Sequence, residues 1–183
     1  MERLILITGG SRSGKSEHAR QIAEALEGPR AFVATCPPVD AEMTARILRH
    51  QEARRNRGWQ TIEEPVDLAG ALRHAKGVNV LLVDCLTLWV NNLMHHSQQA
   101  GENITEEDIA EECRQVLEAA AGLDATVIFV TNEVGMGIVP DNLLARLYRD
   151  LVGRCNQTMA AVADEVILVA CGLPLHLKKG RHL

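Results

Sequence analysis

Gly9-Gly10-Ser11-Arg12-Ser13-Gly14-Lys15-Ser16 fits the pattern G-x-x-x-x-G-K-[ST] and stands where a phosphate-binding loop must stand. Ahead of it, Leu4-Ile5-Leu6-Ile7 is a continuous apolar run, the form of a buried parallel strand. Behind it, Ser16 to Leu26 is rich in Ala and Glu and reads as a helix. Glycines allow a tight turn in which successive N–H groups and the helix N-terminus face a polyphosphate. Lys15 would then reach the β- and γ-phosphates, and the Ser16 hydroxyl would hold Mg²⁺. An ordinary glycine-rich turn would not require a strand before it and a helix after it. The arrangement predicts a binding site for a nucleoside triphosphate.

Outward from this loop, apolar runs bounded by turn signals fall at Leu4–Thr8, Ala31–Thr35, Val80–Asp84, Thr126–Thr131 and Val166–Ala170. Helical patterns lie between them at Ser16–Leu26, Asp40–Arg57, Thr87–His96, Thr105–Ala121 and Asn142–Ala163. Thr105 followed by Asp108 predicts an N-terminal cap, Gly28 and Gly122 predict helix stops, and Asp141 after Pro140 predicts a start. Alternating strands and helices imply an α/β fold, a mostly parallel sheet covered on both faces. With the phosphate loop this is a three-layer P-loop NTPase-type (RecA-like) architecture. No repeat or long linker divides the chain, so residues 1–183 are expected to form one nucleotide-binding catalytic domain. The tail Leu177–Leu183, with Lys178, Lys179 and Arg181, is expected to be solvated and mobile.

Composition narrows the partners. Hydrophobic residues make up 46% of the 183, the share of a globular chain. The formal net charge of −5 offers no basic field for nucleic acid. The five cysteines, Cys36, Cys85, Cys113, Cys155 and Cys171, form no C-x-x-C pair, which favours free thiols in a reducing compartment over a disulfide frame or a zinc site. No apolar stretch approaches the ~20 residues of a membrane span, and because the first strand begins at once no signal peptide is expected. A cytoplasmic location is expected.

Three further constellations carry chemistry. Val80-Leu81-Leu82-Val83-Asp84 is an apolar strand ending in a carboxylate, suited to hold Mg²⁺ beside the P-loop hydroxyl; the alternative is a cap for the helix at Thr87. On the helix Asp40–Arg57, Met43, Ile47, His50 and Arg54 share one face, with Arg46, Arg49 and Arg54 around His50. Like charge disfavours the imidazolium, so His50 would stay neutral and nucleophilic near neutral pH, and the arginines could hold phosphates. The same pattern also fits a structural or surface histidine. Thr131-Asn132-Glu133-Val134-Gly135-Met136-Gly137-Ile138-Val139-Pro140 follows a strand, where doubly wound sheets bind ligands; Glu133 there suits either substrate contact and acid–base work or a structural turn. His95-His96 lacks partners at zinc-ligand spacing, and Arg154, Asn156 and Gln157 read as solvated positions of a long helix.

Taken together these pieces resemble the bifunctional adenosylcobinamide kinase/adenosylcobinamide-phosphate guanylyltransferase family of cobalamin biosynthesis, from the first strand to about Gly172. The resemblance is carried by Thr8 to Ser16, Ala34-Thr35, Glu42-Met43 leading to Arg46-Ile47 and His50, and Trp59-Gln60-Thr61-Ile62-Glu63. Asp84-Cys85-Leu86-Thr87, the Thr131 to Pro140 run and Gly153-Arg154-Cys155-Asn156-Gln157 complete it. A P-loop is widely shared; the Asn-Glu-Val-Gly-Met-Gly-Ile-Val-Pro run is much narrower.

The resemblance implies that His50 is the guanylylated histidine and that Gly9, Gly10, Ser11, Arg12, Ser13, Gly14, Lys15 and Ser16 form the phosphate loop. It implies nucleotide contacts from Ala34, Thr35, Cys36, Gln51, Glu52, Ala53, Arg54, Glu63 and Asp84, with Mg²⁺ at Ser16 and Asp84. Substrates would be ATP or GTP, adenosylcobinamide and its phosphate, and the protein would be a homo-oligomer, a trimer by resemblance. Here Arg49 precedes a single His50, where family members can carry a His-His pair. The N-K-x-D sequence by which many GTPases read guanine is absent, so guanine preference rests on the resemblance. A plain P-loop kinase that has no need of His50, and a non-enzymatic nucleotide switch, are the competing readings.

Overall fold

A computed structural model describes residues 2–37, 48, 52, 54–55 and 57–180. Its elements run β1 (Arg3–Thr8), α1 (Lys15–Ala25), β2 (Arg30–Ala34), β3 (Trp59–Glu63), α2 (Leu68–His74), β4 (Val80–Asp84) and α3 (Leu86–Gln99). Then come α4 (Glu106–Ala121), β5 (Thr126–Val130), α5 (Leu143–Val162), β6 (Glu165–Ala170) and β7 (Leu173–Lys178). The strands form one seven-stranded sheet in the order β3-β2-β4-β5-β1-β6-β7. Every pairing is parallel except that of β7 with β6.

Continuous apolar strands are explained by the two faces they serve. Leu4, Leu6, Leu81, Val83, Val127 and Phe129 pack on one face against Trp89 of α3, Ile109 and Val116 of α4, and Leu151 and Met159 of α5. Their alternates, Ile5, Ile7, Val80, Leu82, Ile128 and Val130, pack on the other against Ala19 and Ala23 of α1. Period-two alternation therefore divides side chains between two apolar layers rather than between core and water.

The five expected strands stand within one residue of their expected limits, and four expected helices are present. The fifth, Asp40–Arg57, falls mostly outside the described residues. Thr105 caps α4 as its sequence requires: its hydroxyl accepts from Asp108 N while Asp108 Oδ2 accepts from Thr105 N at 2.8 Å. The cap of α5 is Asn142, whose Oδ1 accepts from Ala145 N at 3.0 Å, one residue beyond the expected start at Asp141. Three elements are additions. Edge strand β3 has only Trp59 and Ile62 as large apolar residues, so it shows no apolar run. The short helix α2 is capped by Asp67, which accepts from Gly70 N at 2.8 Å.

The third addition corrects the tail. Leu177 and Lys178 belong to β7 rather than to a mobile segment, because Cys171 and Gly172, both at positive φ, turn the chain back antiparallel onto β6. Lys178 Nζ donates to Ala160 O and Ala161 O at 3.4 and 3.1 Å, meeting unsatisfied carbonyls at the C-terminal end of α5.

Candidate functional site at the strand tips

Parallel strands β1, β2, β4 and β5 all end on one side of the sheet, and every described candidate residue lies on the loops there or beside them. The P-loop is tightly seated. A Cβ on Gly9 would fall 2.3 Å from Val169 O, so only glycine fits against β6. Gly14 holds a left-handed φ of 96° at the N-cap of α1, a conformation costly for residues with a side chain. Ser13 N donates to Gly10 O at 3.2 Å, and Gly172 N donates to Ser13 O at 2.8 Å, tying the loop to the β6–β7 turn. Lys15 is 7% exposed, and its Nζ donates to Gly10 O at 3.2 Å. Its ammonium is thus held along its own loop. Ser16, in the first turn of α1, is half-buried.

Asp84 ends β4 level with Ala34 of β2 and Val130 of β5. It does not cap the next helix: the N-cap of α3 is Cys85, without a side-chain cap bond. Thr35, fully buried, locks the junction, its Oγ1 donating to Cys85 O at 2.8 Å and accepting from Cys85 N at 2.9 Å. Burial drives the Cys85 thiol up to about 11, the Asp84 charge adds to this, and Lys15 opposes it. Asp84 and Lys15 therefore both act on one buried point. A carboxylate and a hydroxyl are hard oxygen donors, the donor set that Mg²⁺ prefers while keeping waters and phosphates as its other ligands.

Arg54 is buried with its guanidinium carbon 3.4 Å from the centre of the Phe32 ring. Burial pulls its pKa down and the Asp84 carboxylate pushes it up. Arg54, Glu52, Leu48, Trp59 and Thr61 line a cleft of about 390 Å³ beside β3. Ala34 and Cys36 are half-buried at the tip of β2, and Glu63 is exposed at the end of β3. His50, Gln51, Ala53, Met43, Arg46, Ile47 and Arg49 lie outside the described residues, so the helical face proposed for them is not described.

At the tip of β5, Glu133 N donates to Gly9 O at 3.1 Å. The Glu133 carboxylate accepts from Gly135 N at 2.8 Å, an internal turn bond, which favours the structural reading of this residue. Asn156 is not a solvated bystander: its Oδ1 accepts from Thr131 Oγ1 at 2.7 Å and its Nδ2 donates to Asn132 O at 3.0 Å. Arg154 pairs with Glu106 at 3.0 Å, and Gln157 is exposed. Helical spacing puts Asn156 on one face with the apolar Val152 and Met159, so the signal for its half-buried role was present but weak.

Four buried polar side-chain atoms among the described residues lack a hydrogen-bond partner: Thr8 Oγ1, Ser13 Oγ, Asn132 Oδ1 and Arg54 Nε. Three lie on the P-loop strand, the P-loop and the β5 tip, and the fourth in the field of Asp84. Buried unsatisfied groups cost roughly 1–3 kcal/mol each, so their gathering at one edge of the sheet marks a functional site rather than a stability device.

Known proteins bear on this arrangement in two ways. The chain is similar in fold to the flagellar accessory protein FlaH of Methanocaldococcus jannaschii (TM-score 0.55, 13% identity, 98% of this chain and 79% of that one). It is also similar to an ATPase of a type III secretion system (TM-score 0.60, 15% identity, 96% of this chain and 57% of that one). At these identities the likeness concerns the α/β P-loop fold alone. In sequence it is 40% identical over 185 residues to the bifunctional adenosylcobalamin biosynthesis protein CobU of Escherichia coli, covering 96% of this chain and 99% of that one. It is 39% identical over 174 residues to CobP of Pseudomonas aeruginosa, of the same description, covering 94% and 96%. Residues 5–177 match the family described as cobinamide kinase / cobinamide phosphate guanyltransferase, and with the P-loop, Asp84 and the β5 tip gathered at one edge of the sheet, the chain belongs to that family.

Proposed function

We propose that one domain, residues 1–183, carries out both reactions of its family in adenosylcobalamin biosynthesis. It is a bifunctional transferase, a cobinamide kinase and a cobinamide phosphate guanyltransferase. The observation that carries the nucleotide site is the P-loop itself: a left-handed Gly14 opening α1, with Lys15 buried and bonded to Gly10 O. In the kinase half the aminopropanol hydroxyl of adenosylcobinamide attacks the γ-phosphorus of ATP or GTP. The bond from that phosphorus to the bridging oxygen breaks, the nucleoside diphosphate leaves, and the hydroxyl proton passes to water or a nearby base. Loop N–H groups from Gly9 to Ser16 orient the phosphates, and the Lys15 ammonium faces the charge that builds on the transferred group.

Ser16 and Asp84 would hold Mg²⁺, which when bound neutralises phosphate charge. Ala34, Thr35, Cys36, Gln51, Glu52, Ala53, Arg54 and Glu63 are the further nucleotide-contact positions. Buried Arg54 beside the cleft with Glu52 supports that assignment for these two.

In the second half a ring nitrogen of neutral His50 attacks the α-phosphorus of GTP, pyrophosphate leaves, and GMP is held as a phosphoramidate. A phosphate oxygen of adenosylcobinamide phosphate then attacks that phosphorus. The P–N bond breaks, its electrons return to the imidazole, and adenosylcobinamide-GDP is released. Incubation with α-labelled GTP tests this. Wild-type protein is expected to carry acid-labile, base-stable label on His50. His50→Ala is expected to lose the label and guanylyl transfer while keeping kinase turnover. A GMP adduct on another residue, or normal transfer by His50→Ala, would overturn the assignment.

A homo-oligomer, a trimer by family resemblance, is supported by Met136, Ile138 and Leu143, which are 81%, 95% and 74% exposed next to the site. Light scattering should then return three times the 20.0 kDa chain mass. A cytoplasmic location agrees with five free cysteines. No described helix is long and apolar enough to cross a membrane, and a net charge of −5 is not the global basic field that would argue for nucleic acid.

A further inference from the structure

The P-loop follows β1 and Asp84 ends β4, yet these strands are not neighbours; β5 lies between them. Ile7 and Asp84 both pair with Val130, so whatever registers the phosphate loop against Asp84 must act through the tip of β5. On one side, Glu133 N donates to Gly9 O at 3.1 Å. On the other, Thr87, in the first turn of α3 just past Asp84 and Cys85, accepts from Asn132 N at 2.7 Å and from Asn132 Nδ2 at 3.2 Å.

Counting protons fixes the direction of the bonds among Thr87, Thr131 and Asn156. Thr131 gives its one hydroxyl proton to Asn156 Oδ1 at 2.7 Å, so in the 3.3 Å contact between Thr131 and Thr87 it is Thr87 that donates. Both acceptor positions of the Thr87 oxygen are then filled by Asn132. Asn156 Nδ2 closes the circuit on Asn132 O at 3.0 Å, and Tyr148 Oη donates to Thr87 O at 3.1 Å. Tyr148, its pKa raised by burial to about 12, keeps that proton across the working range. Thr87 is 3% exposed, and besides its contact with the Cys85 thiol its hydroxyl is shared among one donated and two accepted bonds directed at β5.

We propose that Thr87 is a positioning residue for phosphoryl transfer. Its hydroxyl fixes the β5 tip between the P-loop and Asp84 and so sets their spacing. The proposal rests on the kinase reading of the same site. It separates hydroxyl from shape, since valine copies threonine's volume without the hydroxyl and serine keeps the hydroxyl without the methyl. Kinase turnover on adenosylcobinamide is measured against ATP and against Mg²⁺, with melting curves as the check on folding.

Thr87→Val is expected to lower kcat at least about 10-fold, towards the ~10²-fold that small misplacements of reacting groups cost. The KM for ATP should stay within about 3-fold, because the P-loop bonds to the phosphates remain. Thr87→Ser is expected to restore kcat to within about 3-fold of wild type. Should Thr87→Val fail to fold, Asn156→Ala, at the half-buried far side of the same circuit, is expected to give the same split between kcat and KM. A folded Thr87→Val (or, in its place, Asn156→Ala) with wild-type kcat overturns the proposal, as does equal impairment of the Val and Ser variants. Wild-type protein that forms no cobinamide phosphate overturns the kinase reading, and the proposal with it.

Discussion

Replacing Lys15 with methionine should separate stability from chemistry. The side chain is 7% exposed and its Nζ sits 3.2 Å from Gly10 O. Methionine has similar length and an unbranched stem. Removing the ammonium forfeits a charge-assisted hydrogen bond of about 1.5–3 kcal/mol. It also removes the desolvation penalty of a buried cation, several kcal/mol of opposite sign. The two oppose one another, so the stability change should stay within about 2 kcal/mol, a Tm shift of no more than about 4–8 °C for a chain of this size. Phosphoryl transfer has no such compensation. Losing a preorganised donor where transition-state charge develops costs about 2.7–4 kcal/mol, or 10²–10³ in kcat. Paired differential scanning fluorimetry and kinase turnover on purified Lys15→Met read both quantities. Turnover within about 3-fold of wild type would refute the phosphate role. A Tm lower by more than about 8 °C would show that the ammonium holds the fold together.

Three more outcomes are expected. Asp84→Asn should raise the Mg²⁺ concentration needed for kinase activity and lower kcat; an unchanged Mg²⁺ titration would leave Asp84 outside the metal site. Glu24 accepts from Arg20 at 2.5 Å, Arg57 at 2.9 Å and Trp59 at 3.3 Å. Burial pulls its pKa up, but the bonds from Arg20, Trp59 and Arg57 outweigh it and hold the carboxyl below its ordinary 4.5. Its ionised form therefore contributes stability above that value and loses it as pH falls through the lower, folded pKa. The Tm gap between wild type and Glu24→Gln should shrink on acidification below pH 4.5, and a gap independent of pH would contradict the assignment. In thiol labelling of the native protein, exposed Cys171 should react first. Cys85, with its pKa near 11, should stay protected until unfolding, as should Cys113 and Cys155, buried with their sulfurs 3.5 Å apart. Mass spectrometry of partially labelled protein locates the adducts, and early labelling of Cys85 would contradict the buried junction.

Much of this protein was legible in one dimension because its signals are local. Leu4 to Ser16 encodes strand, glycine turn and helix start in consecutive residues, and the apolar runs at Val80–Val83 and Thr126–Val130 announce strands buried on both faces. Thr105 and Asp108 specify a cap within four residues. Strand β3 was not legible, since an edge strand with Trp59 and Ile62 among polar neighbours has little apolar surface to bury. Nor was β7: its alternating Leu173, Leu175 and Leu177 remain exposed, and the strand exists because a tight turn returns it to β6. The tertiary structure alone decided the role of Asn156 and Thr87. Nothing in the sequence marks a hydroxyl and an amide 69 positions apart as members of one hydrogen-bonded circuit. Thr131 and Asn132 join them because strand order puts β5 between β1 and β4, and because a polar group buried at those strand tips must find its partner across the fold.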